Sequence, residues 1–112
     1  MDEGFWNYLD RLIASARVVV DRPKGSAHPR YPSAIYPVDY GYLQGIASSD
    51  GNDLDVWVGT DSPRRAGAVV CTVDLTKQDA ELKVVLSCTE EEVAAILAFT
   101  NVGPMRGLLI RR

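Results

Sequence analysis

The chain has 112 residues and a mass of 12.3 kDa, with 46% apolar and 24% charged residues, which fits a single small domain over residues 1–112. Its formal net charge of -3 argues against a general nucleic-acid-binding surface, because such a surface needs a basic excess. No apolar run approaches the roughly 20 residues of a membrane span, and the start MDEGFW is acidic where a secretory signal is basic. We therefore expect a cytoplasmic protein without membrane or nucleic-acid partners.

The cysteine and histidine content limits the possible metal and disulfide chemistry. Two cysteines, Cys71 and Cys88, cannot form a disulfide framework, and a single histidine supplies a Cys/His zinc site poorly. We expect two reduced thiols in the core.

Hydrophobic periodicity predicts the elements in chain order. Apolar residues recur at helical spacing over 2–16, and a β-branched run over 17–21 predicts a strand. Four prolines make residues 22–42 extended and irregular. Further elements are predicted in this order: strands over 54–59, 68–73 and 81–86, a helix begun by the capping box of Thr89 and Glu92 and ended by Gly103-Pro104, and a strand over 107–111. The pattern indicates an α+β fold, mainly β, as a small closed or partly closed antiparallel barrel.

The acidic residues are unevenly distributed. Asp50, Asp53 and Asp55, with Asn52 between them, lie within six residues and directly precede an apolar strand. Like charges this close repel unless a cation lies between them, and Mg²⁺ prefers such oxygen ligands. The cluster therefore suggests a site for a hard divalent cation.

A second pair of acids brackets a predicted turn. Asp74 and Asp79 flank the residues that join the strands over 68–73 and 81–86, and Asp21 ends the first strand. If the hairpin forms, these acids lie at one rim of the sheet, where bound metals could hold a polyanionic substrate. Taken singly, each is typical of an ordinary solvated turn.

Other site types do not fit the spacing. Counted from Asp50, an EF-hand would require an oxygen ligand where Leu54 stands and a glycine where Asp55 stands. The chain contains no Walker-type phosphate loop and no Gly-x-Ser-x-Gly nucleophile motif. Metal-assisted hydrolysis of a phosphorus–oxygen bond, with phosphate held by basic and phenolic groups of residues 22–42, is the remaining chemistry.

Two motifs in register resemble the soluble family I inorganic pyrophosphatases. The first is Tyr36-Pro37-Val38-Asp39-Tyr40-Gly41-Tyr42, and the second, eight residues later, is Gly51-Asn52-Asp53-Leu54-Asp55-Val56. The resemblance covers about residues 17–83. It implies an OB-like β-barrel that uses Mg²⁺, or Mn²⁺, in an acidic cavity to hydrolyse pyrophosphate to two phosphates; the predicted helices would lie at the N-terminal and C-terminal ends of this barrel.

The resemblance also implies residue roles. Metal ligands would be the acids of the signature, of the hairpin and of the first strand: Asp50, Asp55, Asp74, Asp79 and Asp21. Phosphate would be bound by Lys24, Arg30, Tyr40 and Lys83, although Glu81 competes with Lys83 for the position of the family's lysine. Asp55, Tyr40 and Asn52 would take part in catalysis.

The sequence departs from the family pattern in three places. Asn52 stands where the family has the aspartate proposed to activate water, and an amide can orient water but cannot accept its proton. The second helix contains no tyrosine or lysine to clamp phosphate, so Arg106 or the terminal Arg111-Arg112 could replace them. The chain is also shorter than the usual members, without their early hairpin and with an added N-terminal helix, which favours a compact or diverged relative. The small core of such a domain is compatible with a homo-oligomer. Two alternatives to pyrophosphate hydrolysis therefore stay open: a non-catalytic module that binds metal and phosphate, and a hydrolase for another phosphorylated small molecule.

Overall fold

The fold was analysed in a computed structural model that describes residues 2–112. Its elements are α1 (Glu3–Ala14), β1 (Arg17–Arg22), β2 (Asp39–Ala47), β3 (Asp53–Val58), β4 (Ala66–Asp74), β5 (Asp79–Leu86), α2 (Glu90–Thr100) and β6 (Met105–Arg111). The predicted α+β class, mainly β, is confirmed. Strand β2 was not predicted as a strand, because the prolines before it masked its start.

Helix α1 begins where Asp2 caps it and packs through one apolar face. The Asp2 carboxylate accepts hydrogen bonds from the backbone N–H groups of Gly4 and Phe5 at 2.9 and 3.3 Å. Trp6, Leu9 and Ile13 follow at helical spacing and are buried. The periodicity therefore identified the face that packs on the sheet.

The six strands form one sheet in the order β1-β2-β3-β5-β4-β6. All neighbouring strands are antiparallel except β3 and β5, which are parallel. Strand β4, which lies between them in the sequence, pairs antiparallel with the far side of β5, and β5 therefore runs in the same direction as β3. Strands β1 and β6 lie at opposite edges, so the sheet is open, whereas a closed or partly closed antiparallel barrel was expected.

The sheet carries a separate core on each face. Alternate residues of the central strands enter different cores: Val56 and Val84 pack beneath α1, whereas Trp57 and Val85 pack beneath α2. Burial on both faces explains why these strands read as continuous apolar runs. We call the two surfaces the α1 face and the α2 face.

The proline-rich segment folds as a loop against the α2 face. The Gly25 N–H donates to the Tyr36 carbonyl at 2.8 Å, and the Tyr36 N–H donates to the Ser26 carbonyl at 2.9 Å. Gly41, in the next strand, allows β1 to approach closely, because a Cβ there would lie 1.8 Å from the Val19 carbonyl oxygen. This glycine of the motif thus has a packing role.

None of the described helices is both long and apolar enough to cross a membrane.

Candidate active site

Charged side chains collect at the end of the α2 face that the helix leaves uncovered. On β3, Asp55 alternates with Val56, which packs beneath α1, so Asp55 faces the α2 side. On β5 the same alternation puts Glu81 and Lys83 on the face that buries Val85. The β3·β5 pairing therefore brings an acid and a base of neighbouring strands together.

Glu81 and Lys83 form a half-buried pair within this group. The Lys83 Nζ lies 3.7 Å from the Glu81 Oε2, and the two side chains are 14% and 13% exposed. Burial raises the pKa of Glu81, the ammonium groups of Lys83 and Lys77 oppose that shift, and the carboxylates of Asp55 and Asp79 add to it. Glu81, which the sequence offered only as a rival to Lys83, therefore belongs to the acidic group.

Tyr40 connects the carboxylates to the aromatic core. Its ring is buried against Trp57, with centroids 4.6 Å apart, and the Lys83 Nζ lies 5.3 Å from its centroid. Burial, followed by the neighbouring Asp55 carboxylate, raises the pKa of the Tyr40 hydroxyl well above its ordinary value. At neutral pH Tyr40 is a hydrogen-bond donor, as its predicted phosphate-binding role requires.

The predicted β4–β5 hairpin forms, with Asp74 directly opposite Asp79. The buried Asp74 carboxylate accepts hydrogen bonds from the backbone N–H groups of Thr76 and Lys77 at 2.9 and 3.0 Å, which fixes the turn. The Asp79 Oδ2 lies 3.5 Å from the Lys77 Nζ. Asp74 therefore has a structural role in the hairpin.

The signature loop precedes β3 and is exposed. The Asp50 Oδ1 accepts hydrogen bonds from the Asn52 N–H at 2.9 Å and the Ser48 hydroxyl at 3.0 Å. These bonds, with a smaller contribution from the Glu81 carboxyl, lower the pKa of Asp50.

Three other residues predicted for the site, Asp21, Lys24 and Arg30, are exposed. Asp21 stands at the irregularity of β1, and the Lys24 N–H donates to the Asp39 carboxylate at 2.7 Å while the Lys24 side chain is exposed. Arg30 is exposed beside His28. Within residues 2–112 none of the three predicted side chains forms an ion pair at 4 Å or less.

Two basic residues of the segment 22–42, to which the sequence analysis assigned no individual role, contact the aromatic motif. Arg22 pairs with Tyr40 across β1 and β2 and donates a hydrogen bond to the Tyr36 hydroxyl at 2.5 Å. The His28 ring stacks on the Tyr36 ring at 6.1 Å between centroids and 9° between planes. The position of Arg22 at the end of β1 is the one sequence signal that could have indicated its role. The stacking of His28 on Tyr36 depends on how the loop folds and has no sequence signal.

The C-terminal arginines are engaged elsewhere. Arg111 forms two hydrogen bonds of 2.9 Å with Glu90, and Arg112 contacts Asp10 of α1 at 2.8 Å. The Arg106 guanidinium donates to backbone carbonyls. These contacts give all three residues structural roles.

The acids approach one another without forming a finished metal site. Over residues 2–112, no group of three or more His, Cys, Asp or Glu side chains is arranged to hold a metal ion. Lys77 and Lys83 lie against Asp79 and Glu81 and offset the repulsion between the carboxylates. A divalent cation at the Asp79 Oδ2 or the Glu81 Oε2 would compete with these ammonium groups.

Two solved structures with a similar fold are those of inorganic pyrophosphatases. The enzyme of Neisseria gonorrhoeae matches with a TM-score of 0.62 and 18% identity, over 80% of this chain and 77% of that one. The enzyme of Coxiella burnetii matches with a TM-score of 0.59 and 16% identity, over 84% and 82%. The chain therefore has the fold of the inorganic pyrophosphatases.

Curated proteins give the sequence match. The inorganic pyrophosphatases of Geobacillus stearothermophilus and of Bacillus sp. strain PS3 are each 38% identical to this chain over 60 residues. The alignments cover 46% of this chain and 36% of each relative, so the chain spans about a third of the length of these relatives. No family model matches. The predicted resemblance to the soluble inorganic pyrophosphatases is confirmed by sequence and by fold.

Proposed function

We propose that this protein hydrolyses inorganic pyrophosphate to two phosphates with a divalent cation, Mg²⁺ or Mn²⁺. One observation carries the proposal: Asp55 on β3 and Asp79 and Glu81 on the neighbouring β5 face the same side of a sheet whose fold matches solved pyrophosphatases. Neighbouring acidic and basic side chains are typical of a site that binds a metal-bound polyanion, because carboxylates bind the cation and basic groups bind the phosphate.

The donor set fits a hard cation. Asp50, Asp55, Asp79 and Glu81 offer carboxylate oxygens, which Mg²⁺ and Mn²⁺ prefer. Burial raises the pKa of Glu81, and a cation beside this carboxylate would favour its charged form. When bound, the cation would supply charge neutralisation and a water of lowered pKa. Asp74 and Asp21 complete the proposed ligand set; the Asp74 Oδ1 is occupied by the turn, so Asp74 would bind a cation through its second oxygen.

The remaining residues have defined tasks in this proposal. Tyr40 and Lys83 would donate a phenolic O–H and an ammonium group to one phosphate, and Lys24 and Arg30 would supply further basic groups. Asn52 can orient the attacking water through its amide but cannot accept a proton. The proton therefore leaves through a group other than Asn52.

The direct test is phosphate release from pyrophosphate by the purified protein with Mg²⁺ or Mn²⁺. We expect activity in the parent and a loss of at least about 100-fold in Asp55→Asn, because that side chain serves both metal and Tyr40. Asp61→Asn is the matched control, since the Asp61 side chain is exposed and bonds only the adjacent Ser62 N–H. A parent that releases no phosphate, or an Asp55→Asn variant as active as the parent, overturns the proposal.

A non-catalytic module that binds metal and phosphate is the second candidate, and Asn52 is the observation that favours it. An Asn52→Asp variant restores the family residue without changing side-chain volume. A large gain of hydrolysis from an inactive parent would identify a disabled enzyme. If instead the parent cleaves a nucleotide or sugar phosphate faster than pyrophosphate, the substrate part of the first proposal is wrong.

We also propose that the protein works in the cytoplasm as a homo-oligomer. The free thiols of Cys71 and Cys88 suit a reducing compartment. On edge strand β6, Leu108 is 66% exposed, which suits contact with a second copy. Light scattering of the purified protein tests the assembly; a monomer at micromolar concentration would contradict it.

A further inference from the structure

Arg22 presents a guanidinium to the site without a carboxylate partner. Its Nη1 donates to the Tyr36 hydroxyl at 2.5 Å, and its Cζ lies 5.6 Å from the centroid of that ring. Within the described part of the chain, no carboxylate lies within 4 Å of this guanidinium. The planar guanidinium carries further N–H groups in a fork that matches phosphate oxygens.

His28 is held in a single orientation by its own loop. Its Nδ1 accepts hydrogen bonds from the backbone N–H groups of Arg30 and Tyr31 at 3.0 and 3.2 Å. Burial, followed by Arg22, Arg30, Lys77 and Lys83, lowers the pKa of His28, so the ring is neutral at pH 7. With Nδ1 as acceptor, the proton is on Nε2, which is left as a donor.

Arg22, His28 and Lys83 surround a common aromatic floor. Tyr36 stacks on Tyr40 with 5.4 Å between centroids; Arg22 and His28 contact Tyr36, and Lys83 lies over Tyr40. Lys83 is paired with Glu81 and His28 is neutral, so Arg22 supplies the positive charge that an anion on this floor would meet, and His28 supplies an N–H donor. Helix α2, which borders the same face, contributes no basic side chain.

We propose that the Arg22 guanidinium and the His28 Nε2–H bind one phosphate group of the substrate on the floor formed by Tyr36 and Tyr40. The inference rests on the proposed function, since it assigns the side of the site opposite the carboxylates to a phosphate group. It gives a binding role to two residues outside the motifs, and it gives the loop over residues 23–38 the task of positioning His28.

Two histidine variants separate binding from loop structure. His28→Asn retains an acceptor oxygen near the Nδ1 position and removes the Nε2 donor, whereas His28→Gln places an amide N–H near the Nε2 position. If His28 binds phosphate, the Asn variant weakens the affinity for inorganic phosphate by roughly 10-fold, and the Gln variant restores part of it. Equal affinities in both variants and the parent would overturn the role of His28.

Arg22 is tested by charge and by geometry. Arg22→Gln should weaken phosphate affinity by roughly 10- to 100-fold, and Arg22→Lys should recover only part of this loss, because an ammonium group lacks the planar fork. Arg64→Gln makes the same charge change at an exposed arginine outside the site and should leave affinity unchanged. An Arg22→Gln variant that binds phosphate as the parent does overturns the proposal.

The readout is a titration of the full chain with inorganic phosphate, followed by ¹H–¹⁵N chemical shifts with and without Mg²⁺. The same spectra report whether each variant is folded. Because binding is read without turnover, the two claims can fail separately. Phosphate binding that depends on Arg22 in a protein without hydrolysis would reject the proposed function and retain this inference. Hydrolysis with unchanged phosphate affinity and KM in Arg22→Gln and His28→Asn would do the reverse.

Discussion

The two faces of the sheet are built from neighbouring residues of the same strands but differ in what they bury. The α1 face is filled with apolar side chains from Trp6 to Leu86. The α2 face is apolar only beneath the helix, and beyond it carries the pairs Glu81–Lys83 and Lys77–Asp79. The α1 face therefore supplies stability. The uncovered end of the α2 face carries charged side chains in place of apolar ones, which is typical of functional sites.

The largest expected effect comes from a substitution that creates a cavity in the core of the α1 face. Trp6→Ala should lower the free energy of unfolding by about 3–5 kcal/mol, because a side chain only 2% exposed is removed from the core. Phe5→Ala, at the adjacent but 45% exposed ring, should cost far less and serves as the control. Denaturant unfolding gives both values; similar losses in the two variants would mean that α1 does not pack on the sheet as described.

Glu92 tests how firmly α2 is tied to the sheet. Its carboxylate accepts hydrogen bonds from the Thr89 N–H at 2.8 Å and the Thr60 N–H at 3.2 Å. Although burial works in the opposite direction, these bonds hold the pKa of Glu92 below its ordinary value. Stability from Glu92 is thus present above pH 4.5 and is lost as the pH falls through the lower folded-state pKa.

Replacing Glu92 by Gln should cost about 1 kcal/mol at pH 7 and reduce this acid-dependent loss. Glu91→Gln, on the exposed neighbour, is the control. A Glu92→Gln variant whose stability matches the parent at pH 7, measured by urea unfolding, would contradict the capping role.

Glu81 should behave in the opposite way, because it belongs to the charged end. Its folded-state pKa is raised, mainly by burial, so its ionisation costs stability as the pH rises above 4.5. Glu81→Gln should therefore remove this pH-dependent loss of stability while lowering hydrolysis about 10-fold or more. Unfolding and phosphate release are measured on the same preparation, and a variant that loses stability while keeping full activity would reverse the assignment.

Lys77 gives the smallest expected effect. Its side chain is 57% exposed and pairs with Asp79, so it competes weakly with a cation for that carboxylate. Lys77→Gln should tighten Mn²⁺ binding by a factor of roughly 2 to 5, with Arg64→Gln as the charge control. Titration calorimetry measures it; weaker binding in Lys77→Gln alone would show that Lys77 supports the metal site instead of competing with it.

Much of this fold could be predicted from local pattern. Trp6, Leu9 and Ile13 show the helical period, and the capping box marks the start of α2. The parallel β3·β5 pairing and the open sheet could not be predicted, since both depend on where β4 inserts. Strand β2 was missed because prolines precede it and its own residues mix glycine with aromatic side chains.

The site divides in the same way. Asp50, Asp55 and Tyr40 could be singled out because they stand in motifs with fixed spacing. Arg22 and His28 could not, because their place depends on how the loop folds back onto Tyr36. Glu81 was underrated for a related reason: its proximity to Asp55 arises from the pairing of β3 with β5.

The central claim is that the charged end of the α2 face is a divalent-cation and phosphate site. The most direct measurement is a crystal structure of the protein grown with Mn²⁺ and phosphate, with the anomalous signal of manganese used to place the ion. The account predicts a peak about 2.1–2.2 Å from an Asp55 carboxylate oxygen, with at least two of Asp50, Asp74, Asp79 and Glu81 also coordinating. Full occupancy at another place, with Asp55 and its neighbours free of metal, would contradict it.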